Sequence, residues 1–455
     1  MFSPITLFSQ SNENLIGNWS GKLDLPGTKL EIIFKISADE NGKLTSKMDV
    51  PMQGAKDLSV SETDAASDSL KLTVALIMGK FSGKVISDTI IEGNWKQSGA
   101  TFPLTLKKTN IVTEIKRPQT PQPPFPYLSE DVNYINPKSG LNLAGTLTLP
   151  ENAKNCPAVV LISGSGAQDR DETIFEHKPF LVIADYLSRN GIAVLRVDDR
   201  GVGGSEGNIQ DVTSEDFAGD VLAGVEFLKT IKEINSSKIG LIGHSEGGFI
   251  APMVANSSTD ISFVILLAGP GMNGEQILYA QGELINRAAG LTDEQIAQNH
   301  NLQKAIFDIL LNEKDTAKQI EKLKLTYSSG QYSTMNDDQK KVVDSNIKAL
   351  NTPWFRFFLA YEPCPALFKL KCPVLALNGS KDLQVPPTEN LAAIEKALKE
   401  GGNKNFKTME MENLNHLFQT CETGAISEYA QIEETISPTV LKILRDWILE
   451  FGIKN

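Results

Sequence analysis

Two serines lie in the pattern Gly-x-Ser-x-Gly, which is typical of the nucleophile in acyl-transfer enzymes. They are Ser205, in "RVDDRGVGGSEGNI", and Ser245, in "KIGLIGHSEGGFIAP". Ser245 directly follows a run of strand type and directly precedes a helical run, which is the strand–turn–helix setting that exposes a nucleophile at a sheet edge. Ser205 lies in a glycine-rich loop, several residues from any strand or helix. We therefore predict that Ser245 is the attacking serine.

A serine hydroxyl is a weak nucleophile at its ordinary pKa, so Ser245 needs a general base. The chain offers four histidines. His416 lies in the loop after the last predicted core strand, from which it can reach the same sheet edge as the serine, and we predict that it is the base. His244 sits on a tight turn where adjacent side chains point apart, and His300 belongs to a helix face of solvated type. His177 follows the loop after the first core strand and is predicted to line the site entrance.

The base needs an acid that orients it, and Asp382 is the candidate. It follows the preceding core strand in "LALNGSKDLQVPP", a position equivalent to that of His416. Aspartate is also common in turns for local reasons, and Asp382 adjoins Lys381. The order Ser245, Asp382, His416 on successive sheet edges favours the catalytic interpretation.

The elements that position these residues alternate between strand and helix over residues 131–455. Continuous apolar strand runs such as "PAVVLISG" and "ISFVILLAG" between helical runs predict a mostly parallel sheet covered by helices on both faces. The alternation stops over about 272–368, where the sequence is helical and amphipathic. A segment of that length is too long for a loop, so we predict a helical cap inserted between two core strands.

The N-terminal part has a different pattern. Residues 1–110 contain short β-rich runs separated by turn residues, which predict a small all-β, barrel-like domain. Trp19 and Trp95 share the motif Gly-Asn-Trp near its two ends, and we expect both in its core rather than at a ligand. A first and last strand side by side would bring them together. The proline-rich segment 111–130 predicts an extended linker.

The composition excludes some classes of protein. A net charge of −12 argues against a nucleic-acid-binding protein, which usually carries a basic face. No apolar run reaches the length of a membrane-spanning helix. The four cysteines form no Cys-x-x-Cys pair, so no metal or cofactor is predicted. Cys364 and Cys372 are close enough to pair in an exported protein, although buried free thiols are the favoured interpretation.

The N-terminal stretch "MFSPITLFSQS" resembles the tail of a secretory signal but lacks a basic region before the apolar part. Either the true start lies upstream or this is the first strand of the β domain. We expect an exported protein, periplasmic or extracellular, with a cytoplasmic one as the alternative.

Residues 131–455 resemble an α/β-hydrolase, in which the triad runs Ser, Asp or Glu, His along the chain. The loop "RVDDRGVGGSEG" resembles the Asp-x-Arg-Gly-x-Gly-x-Ser loop of this fold, which implies a structural role for Arg200 and Ser205. The similarity is strongest to bacterial carboxylesterases with a β domain ahead of the hydrolase domain.

The resemblance implies an oxyanion hole of two backbone N–H groups, one from Glu246 and the other from Ser165 in "SGSGAQDRDE". Ser163 stands where many members of the fold have histidine. Asp169, Arg170 and Asp171 are expected to form a salt-bridged scaffold, with Arg170 binding a substrate carboxylate as the alternative.

An aromatic cluster ends the predicted cap in "TPWFRFFLAYEP". Some of its members are expected in the core of the cap and the rest at the substrate. We predict Trp354, Phe357 and Phe358 as pocket residues, together with His177.

The predicted function is hydrolysis of carboxylic esters through an acyl-enzyme, with a small-molecule acyl compound as substrate. The alternative is a peptidase similar to the serine aminopeptidases of this fold, which would need acidic residues such as Glu246 and Glu362 to hold a substrate amine. A non-catalytic binding protein is a third interpretation, which a complete triad disfavours.

Overall fold

The computed structural model describes residues 12–451 apart from 26–27, 54, 67, 98 and 111–115. The predicted signal-like stretch and the start of the predicted linker therefore lie outside the described residues. The chain divides into two compact units, one comprising Met1–Lys116 with Ser427–Gln431 and the other Arg117–Ile426 with Ile432–Asn455.

The first unit contains nine strands: β1 (Gly17–Leu25), β2 (Thr28–Ala38), β3 (Leu44–Val50), β4 (Ala55–Ser59), β5 (Glu62–Ala66), β6 (Ser69–Val74), β7 (Gly79–Ser87), β8 (Ile90–Gln97) and β9 (Ala100–Thr109). They form one sheet in the order β4-β3-β2-β1-β9-β8-β7-β6-β5, and every described pair in it is antiparallel. The end strand β5 approaches β3, next to the opposite end of the sheet, where Thr63 Oγ1 donates to Ser46 Oγ at 2.9 Å, so the sheet curls into a barrel-like shape.

The two tryptophans of this unit lie in its core. Trp19 and Trp95 are 0% and 1% exposed and belong to the same apolar cluster, as predicted. The first strand, β1, pairs with the last strand, β9. Trp95, however, lies on β8, because the chain makes one more hairpin after it.

The second unit contains eight strands: β10 (Tyr127–Ile135), β11 (Asn142–Pro150), β12 (Cys156–Ile162), β13 (Ala193–Val197), β14 (Ile234–His244), β15 (Ile261–Leu267), β16 (Val374–Gly379) and β17 (Phe406–Met411). Its helices are α1 (Pro179–Arg189), α2 (Ser214–Lys229), α3 (Gly247–Ser257), α4 (Gly274–Ala288), α5 (Asp293–Asn312), α6 (Thr316–Tyr327), α7 (Asp337–Leu350), α8 (Pro353–Ala360), α9 (Cys364–Lys369), α10 (Pro387–Glu400) and α12 (Pro438–Phe451). The short helix α11 (Ile426–Tyr429) falls at the division, since Ser427–Gln431 group with the first unit.

The strands of this unit form a sheet in the order β10-β11-β13-β12-β14-β15-β16-β17. The pairs β10–β11 and β11–β13 are antiparallel, and the strands from β13 to β17 run parallel. Parallel strands need long crossovers, and the intervening helices provide them. Because all these strands run the same way, the loops after β12, β14, β16 and β17 emerge at one edge of the sheet.

Helices cover the sheet on both faces, which explains why central strands such as β12 and β15 are almost continuously apolar. On β12, Val160 and Ile162 pack with α2, α3 and α10, whereas Val159 and Leu161 pack with α1 and α12. Both side-chain directions of β12 are therefore buried, whereas the edge strand β10 exposes most of its side chains. The predicted fold class is confirmed: a helix-covered, mostly parallel sheet follows a small all-β domain.

The cap consists of the helices α4 to α9 between β15 and β16, within the range predicted from the sequence. It has an apolar core of its own, which includes Phe307, Leu323 and Leu359. The helices α4 to α8 begin at conventional capping residues, for example Thr292 before α5 and Asn336 before α7, each with a reciprocal capping box.

The described part of the proline-rich segment is attached to the second unit. The Arg117 guanidinium donates to the carbonyl oxygens of Phe175 and Ile432, at 2.8 and 2.9 Å. The strand β10 begins at Tyr127, so the last residues of the predicted linker belong to the sheet. None of the four cysteines forms a disulfide, Cys364 and Cys372 included.

Candidate active site

Ser245 lies on a sharp turn between β14 and α3, in the left-handed backbone region with φ of +53°. A Cβ atom at Gly243 would stand 2.0 Å from the carbonyl oxygen of Gly247, and one at Gly247 would stand 2.3 Å from that of Ile162. Only glycine fits at either position. The strained serine is held because its N–H donates to the Leu267 carbonyl oxygen at 2.8 Å, so the turn is fixed to the neighbouring strand.

His416 and Asp382 form a buried pair next to this turn. His416 Nδ1 lies 2.8 Å from Asp382 Oδ2, and the two side chains are 5% and 0% exposed. Asp382 Oδ1 accepts the backbone N–H groups of Gln384 and Val385 at 2.8 and 2.9 Å, which fixes the carboxylate. Loops after β16 and β17 carry the two residues, as the sheet order requires.

Ser245 and His416 line the same cavity. Among the hydrogen bonds of the described residues, none joins Ser245 Oγ to the His416 ring. In an enzyme without substrate this contact is often long, and it tightens when substrate binds.

The loop after β12 packs against the nucleophile. A Cβ atom at Gly164 would stand 3.2 Å from Ser245 Cβ, so the backbone of this loop adjoins the serine. The N–H groups of Ser165 and Glu246 take part in none of the hydrogen bonds of the described residues. Two unpaired N–H donors beside the nucleophile are what an oxyanion hole requires.

Asp199 supports this loop from behind. Its Oδ1 accepts the Ser163 hydroxyl and its Oδ2 accepts the Gln168 backbone N–H, both at 2.9 Å. Burial raises the pKa of the Asp199 carboxyl to about 7, against the opposing effect of these two hydrogen bonds, and the nearby carboxyls of Glu246 and Glu172 raise it further. The residue that replaces histidine in this loop, Ser163, therefore has a structural partner.

The side chain of Glu246 joins the cap to the catalytic centre. The residue is 3% exposed, and its Oε1 accepts the Ser214 hydroxyl at 2.6 Å and Trp354 Nε1–H at 2.8 Å. Burial raises the pKa of this carboxyl, while hydrogen bonds from Ser214, Trp354 and Ser165 act in the opposite direction. The cap helix α8 is thus connected to the residue that follows the nucleophile.

His244 points away from Ser245 and into a second buried pair. Its Nδ1 lies 2.9 Å from Glu172 Oε1, and its Nε2 lies 3.0 Å from the His416 carbonyl oxygen. Burial alone would lower the pKa of His244, but the Glu172 carboxylate more than compensates and the net pKa is raised. Glu172 Oε1 also accepts the Gly164 N–H at 2.7 Å.

The cavity that contains Ser245 has a volume of about 220 Å³ and lies between the sheet edge and the cap helices α4 and α8. Its apolar lining residues are Ile174, Pro270, Ile277, Leu278, Trp354, Phe355, Phe358, Val385 and Leu417. The neutral amides of Gln168, Gln281 and Gln384 add hydrogen-bonding groups. Trp354 and Phe358 therefore lie at the cavity as predicted from the sequence.

The structure does not place Phe357 or His177 at this cavity, so these two pocket predictions need correction. Phe357 lies on another side of α8, where its ring stacks on Tyr361 with centroids 5.5 Å apart. His177 is 0% exposed, and its ring contacts Thr435 Oγ1 and Gln419 Nε2 at 2.9 Å each. His177 follows the loop after β12 in the sequence, but its side chain is buried in the protein core and does not line the cavity.

Ser205 and Arg170 have structural roles. Ser205 Oγ accepts the Ala144 N–H at 2.9 Å and donates to the Asp198 carbonyl oxygen at 2.8 Å. Arg170 contacts Asp198 at 2.7 Å and Asp131 at 2.8 Å, which supports the scaffold interpretation over substrate binding.

Sequence reasoning missed the α4 residues of the cavity wall and the role of Glu172. No local signal distinguishes Ile277, Leu278 or Gln281 from other residues of an amphipathic cap helix. Glu172 is a buried acid in a polar loop, and its partner His244 lies 72 residues away.

In the part of the chain that the structure describes, no cluster of three or more His, Cys, Asp or Glu side chains could hold a metal ion. No described helix has the length and apolarity needed to span a membrane.

The fold and the site define a hydrolase of the α/β-hydrolase type, as the sequence predicted. A family model described as X-Pro dipeptidyl-peptidase (S15 family) matches residues 139–417, which include Ser245, Asp382 and His416. The match covers more than half of the chain, and the protein belongs to this family.

Comparison with individual proteins gives more distant similarities. Esterase EstD of Thermotoga maritima is 29% identical over 278 residues, which are 60% of this chain and 58% of that protein, so the match spans little more than half of the curated relative. Among solved structures, the alpha/beta hydrolase GrgF from Penicillium sp. sh18 is 16% identical with a TM-score of 0.45, covering 72% of this chain and all of that one. Est1E from Butyrivibrio proteoclasticus with bound ferulic acid is 21% identical with a TM-score of 0.43, covering 71% of this chain and all of that one.

Proposed function

We propose that the protein is a serine hydrolase that cleaves carboxylic esters through an acyl-enzyme on Ser245. The observation that carries the proposal is the buried contact of 2.8 Å between His416 and Asp382 at the cavity that Ser245 lines from its strained turn. A buried acid paired with a histidine beside a half-buried serine that lines a cavity is the arrangement that activates a hydroxyl for acyl transfer.

The mechanism follows from these positions. Asp382 accepts the Nδ1–H of His416, which leaves Nε2 unprotonated and able to take the proton of Ser245 Oγ as that oxygen attacks the acyl carbonyl carbon. The carbonyl oxygen becomes an oxyanion and accepts the N–H groups of Glu246 and Ser165, each worth about 3–4 kcal/mol by comparison with other serine hydrolases. His416 then protonates the leaving alcohol, and a water molecule activated by the same histidine hydrolyses the acyl-enzyme.

The cavity favours neutral substrates. Its walls are mostly apolar and its three glutamine side chains are uncharged. The two carboxyl groups that line it, on Glu172 and Glu246, already accept hydrogen bonds from protein donors. An apolar acyl or aryl group with a neutral leaving alcohol fits such a site without leaving a buried charge unpaired.

A peptidase of the same fold is the second candidate, and the family match favours it. Such an enzyme needs a carboxylate for the substrate ammonium group. Glu362, the other acid suggested by the sequence, accepts the Asn273 side-chain amide at 2.8 Å and is not among the cavity lining. The carboxyl groups of Glu172, Glu246 and Glu362 all accept hydrogen bonds from the protein itself. Because none of them is reserved for a substrate ammonium group, ester hydrolysis is favoured over cleavage of peptides with a free N-terminus.

The test is a substrate panel on the full chain. It comprises p-nitrophenyl acetate, butyrate and octanoate together with aminoacyl and X-Pro dipeptidyl p-nitroanilides, measured with the parent and with Ser245→Ala. We expect ester turnover that falls by about 10⁴-fold or more in Ser245→Ala. A fluorophosphonate probe should label Ser245 of the parent, as read by peptide mass spectrometry. Faster cleavage of the anilides would establish the peptidase instead, and activity retained in Ser245→Ala would refute the serine assignment.

A further inference from the structure

His244 lies between two groups that accept hydrogen bonds. Its Nδ1 faces Glu172 Oε1 and its Nε2 faces the carbonyl oxygen of His416. A carbonyl oxygen and an ionised carboxylate only accept, whereas a neutral imidazole carries a single N–H. Both contacts are satisfied together only when the His244 ring carries two protons, that is, as an imidazolium ion.

The environment of Glu172 supports the same protonation state. Glu172 Oε1 accepts the Gly164 N–H at 2.7 Å as well as the His244 ring at 2.9 Å. Two short contacts to donors on one oxygen favour the ionised carboxylate, because a charged acceptor forms the stronger hydrogen bonds. Glu172 and His244 are 4% and 7% exposed, so the opposite charges compensate each other in a site with little access to water.

This ion pair connects the two loops that the proposed mechanism uses. On one side, Glu172 holds the N–H of Gly164, the residue directly before the oxyanion donor Ser165. On the other side, His244 holds the backbone carbonyl of the general base His416, and the two histidine rings lie with centroids 4.9 Å apart. Neither Glu172 nor His244 needs to contact the substrate to affect the reaction.

We propose that the Glu172–His244 ion pair is a positioning pair that fixes the oxyanion loop and the loop of the general base relative to Ser245. The inference rests on the proposed function, because it assigns meaning to the positions of Ser165 and His416. It also explains why a histidine, His244, precedes the serine in the Gly-His-Ser-Glu-Gly motif.

The pair predicts a specific pH dependence. The titratable groups that face His244 are Glu172, the His416 ring with its centroid 4.9 Å away and, further off, Asp382. Burial lowers the pKa of His244, but the Glu172 and Asp382 carboxylates and the His416 carbonyl oxygen raise it, and the net pKa lies above its ordinary value. The two hydrogen bonds and the Glu172 carboxylate therefore stabilise the imidazolium, which loses its proton at a higher pH than an ordinary histidine does. A neutral His244 keeps one of its two hydrogen bonds and loses the other, so kcat should fall on an alkaline limb.

The experiment compares Glu172→Gln and His244→Gln in the full chain, with p-nitrophenyl acetate as substrate. Each glutamine can maintain one of the two connections but not the pair of charges. We expect kcat to fall by about 10- to 100-fold with KM within about twofold, because misplaced oxyanion donors and base act in the transition state. The alkaline limb of kcat should be absent in His244→Gln.

The matched control is His177→Gln. His177 is equally buried and is also contacted at both ring nitrogens, but it lies outside the cavity. This variant should lower the unfolding temperature while kcat stays within about twofold and the pH profile is unchanged. An alkaline limb in His244→Gln identical to that of the parent, or a kcat in Glu172→Gln within twofold of the parent, would overturn the proposal.

A second measurement does not depend on activity. The chain has only four histidines, so ¹⁵N-histidine labelling gives few signals, and substitution assigns them. We expect one ring in the parent to show both nitrogens protonated at pH 8, and this signature to disappear in Glu172→Gln and in His244→Gln. A neutral His244 at pH 8 would refute the ion pair. If instead Ser245→Ala stays active, the proposed function fails while the ion pair is still tested by these spectra.

Discussion

Replacing Asp382 by asparagine should inactivate the protein. The substitution keeps the shape of the side chain and changes only one carboxylate oxygen into an NH₂ group. Asp382 Oδ1 accepts two backbone N–H groups, from Gln384 and Val385, so an amide at this position must keep its oxygen there. Its NH₂ group then faces His416 Nδ1, at the place where Oδ2 now lies 2.8 Å away. An NH₂ group donates only, which forces His416 Nδ1 to accept and moves the ring proton to Nε2.

The expected loss follows from that tautomer. A His416 ring with its proton on Nε2 has no lone pair to take the proton of Ser245, so general-base catalysis is lost while the cavity and the oxyanion donors remain. The same change in a well-characterised serine protease lowers kcat by about 10⁴-fold, equivalent to about 5.5 kcal/mol of transition-state stabilisation. The opposite orientation of the amide would leave two buried N–H groups without an acceptor, which costs about 1–3 kcal/mol each.

The assay is steady-state hydrolysis of p-nitrophenyl acetate between pH 6 and 9, with thermal unfolding to check that the variant is folded. Asp185→Asn is the control, because Asp185 accepts Tyr127 Oη and Arg189 Nε at 2.8 Å on the surface of α1, outside the cavity. Its kcat should stay within about twofold of the parent. A folded Asp382→Asn variant with less than a tenfold loss of kcat would show that Asp382 does not orient the base.

Three further variants test other parts of the site. Ser205→Ala should keep the ester activity but lower the free energy of unfolding by about 1–3 kcal/mol, since it leaves the buried Ala144 N–H without its acceptor; a loss of activity in the folded variant would contradict the structural role. Trp354→Phe removes the donor to Glu246 and should lower kcat/KM for p-nitrophenyl octanoate about tenfold. The control is Trp447→Phe, because Trp447 Nε1–H has no hydrogen-bond partner among the described residues, and it should leave kcat/KM unchanged. Equal losses in the two variants would show that the contact between Trp354 and Glu246 does not contribute to catalysis. Asp199 has a native pKa of about 7, above the ordinary value, so the folded state retains its proton where the unfolded state does not, and its contribution to the free energy of unfolding falls as the pH rises from about 4 to 7. Asp199→Asn should abolish that fall relative to the parent, as measured by urea unfolding at several pH values, and identical pH dependence in the two proteins would refute the assignment.

Much of the site could be predicted because its signals are local. The alternation of apolar strands and helices predicts a parallel sheet, and parallel strands bring the loops after them to one edge. The positions of Ser245, Asp382 and His416 after strands therefore predict that they meet, and the structure brings Asp382 and His416 into contact beside Ser245. The glycines around Ser245 are readable for the same reason, because a sharp turn between a strand and a helix leaves no room for a side chain.

The pocket residues could be predicted only in part. The aromatic run at the end of the cap indicates a helix with one face toward a core, but its period does not tell which face meets the cavity. Phe358 and Phe357 are neighbours in the chain, yet the first lines the cavity and the second stacks on Tyr361. That choice depends on how α8 packs against α3 and α4, which involves contacts between distant parts of the chain.

The sequence by itself determined the fold class, the choice of Ser245 over Ser205 and the acid and base proposed for it, because strand order and loop position follow from local patterns. Only the tertiary structure decided which of the remaining histidines has a place at the site. His177 was predicted at the entrance and is buried elsewhere, whereas His244, dismissed as a turn residue, pairs with Glu172 and holds the loop of His416. The reason is physical: the partner of a buried charge is chosen by distance in the folded chain, and a separation of 72 residues carries no periodic signal.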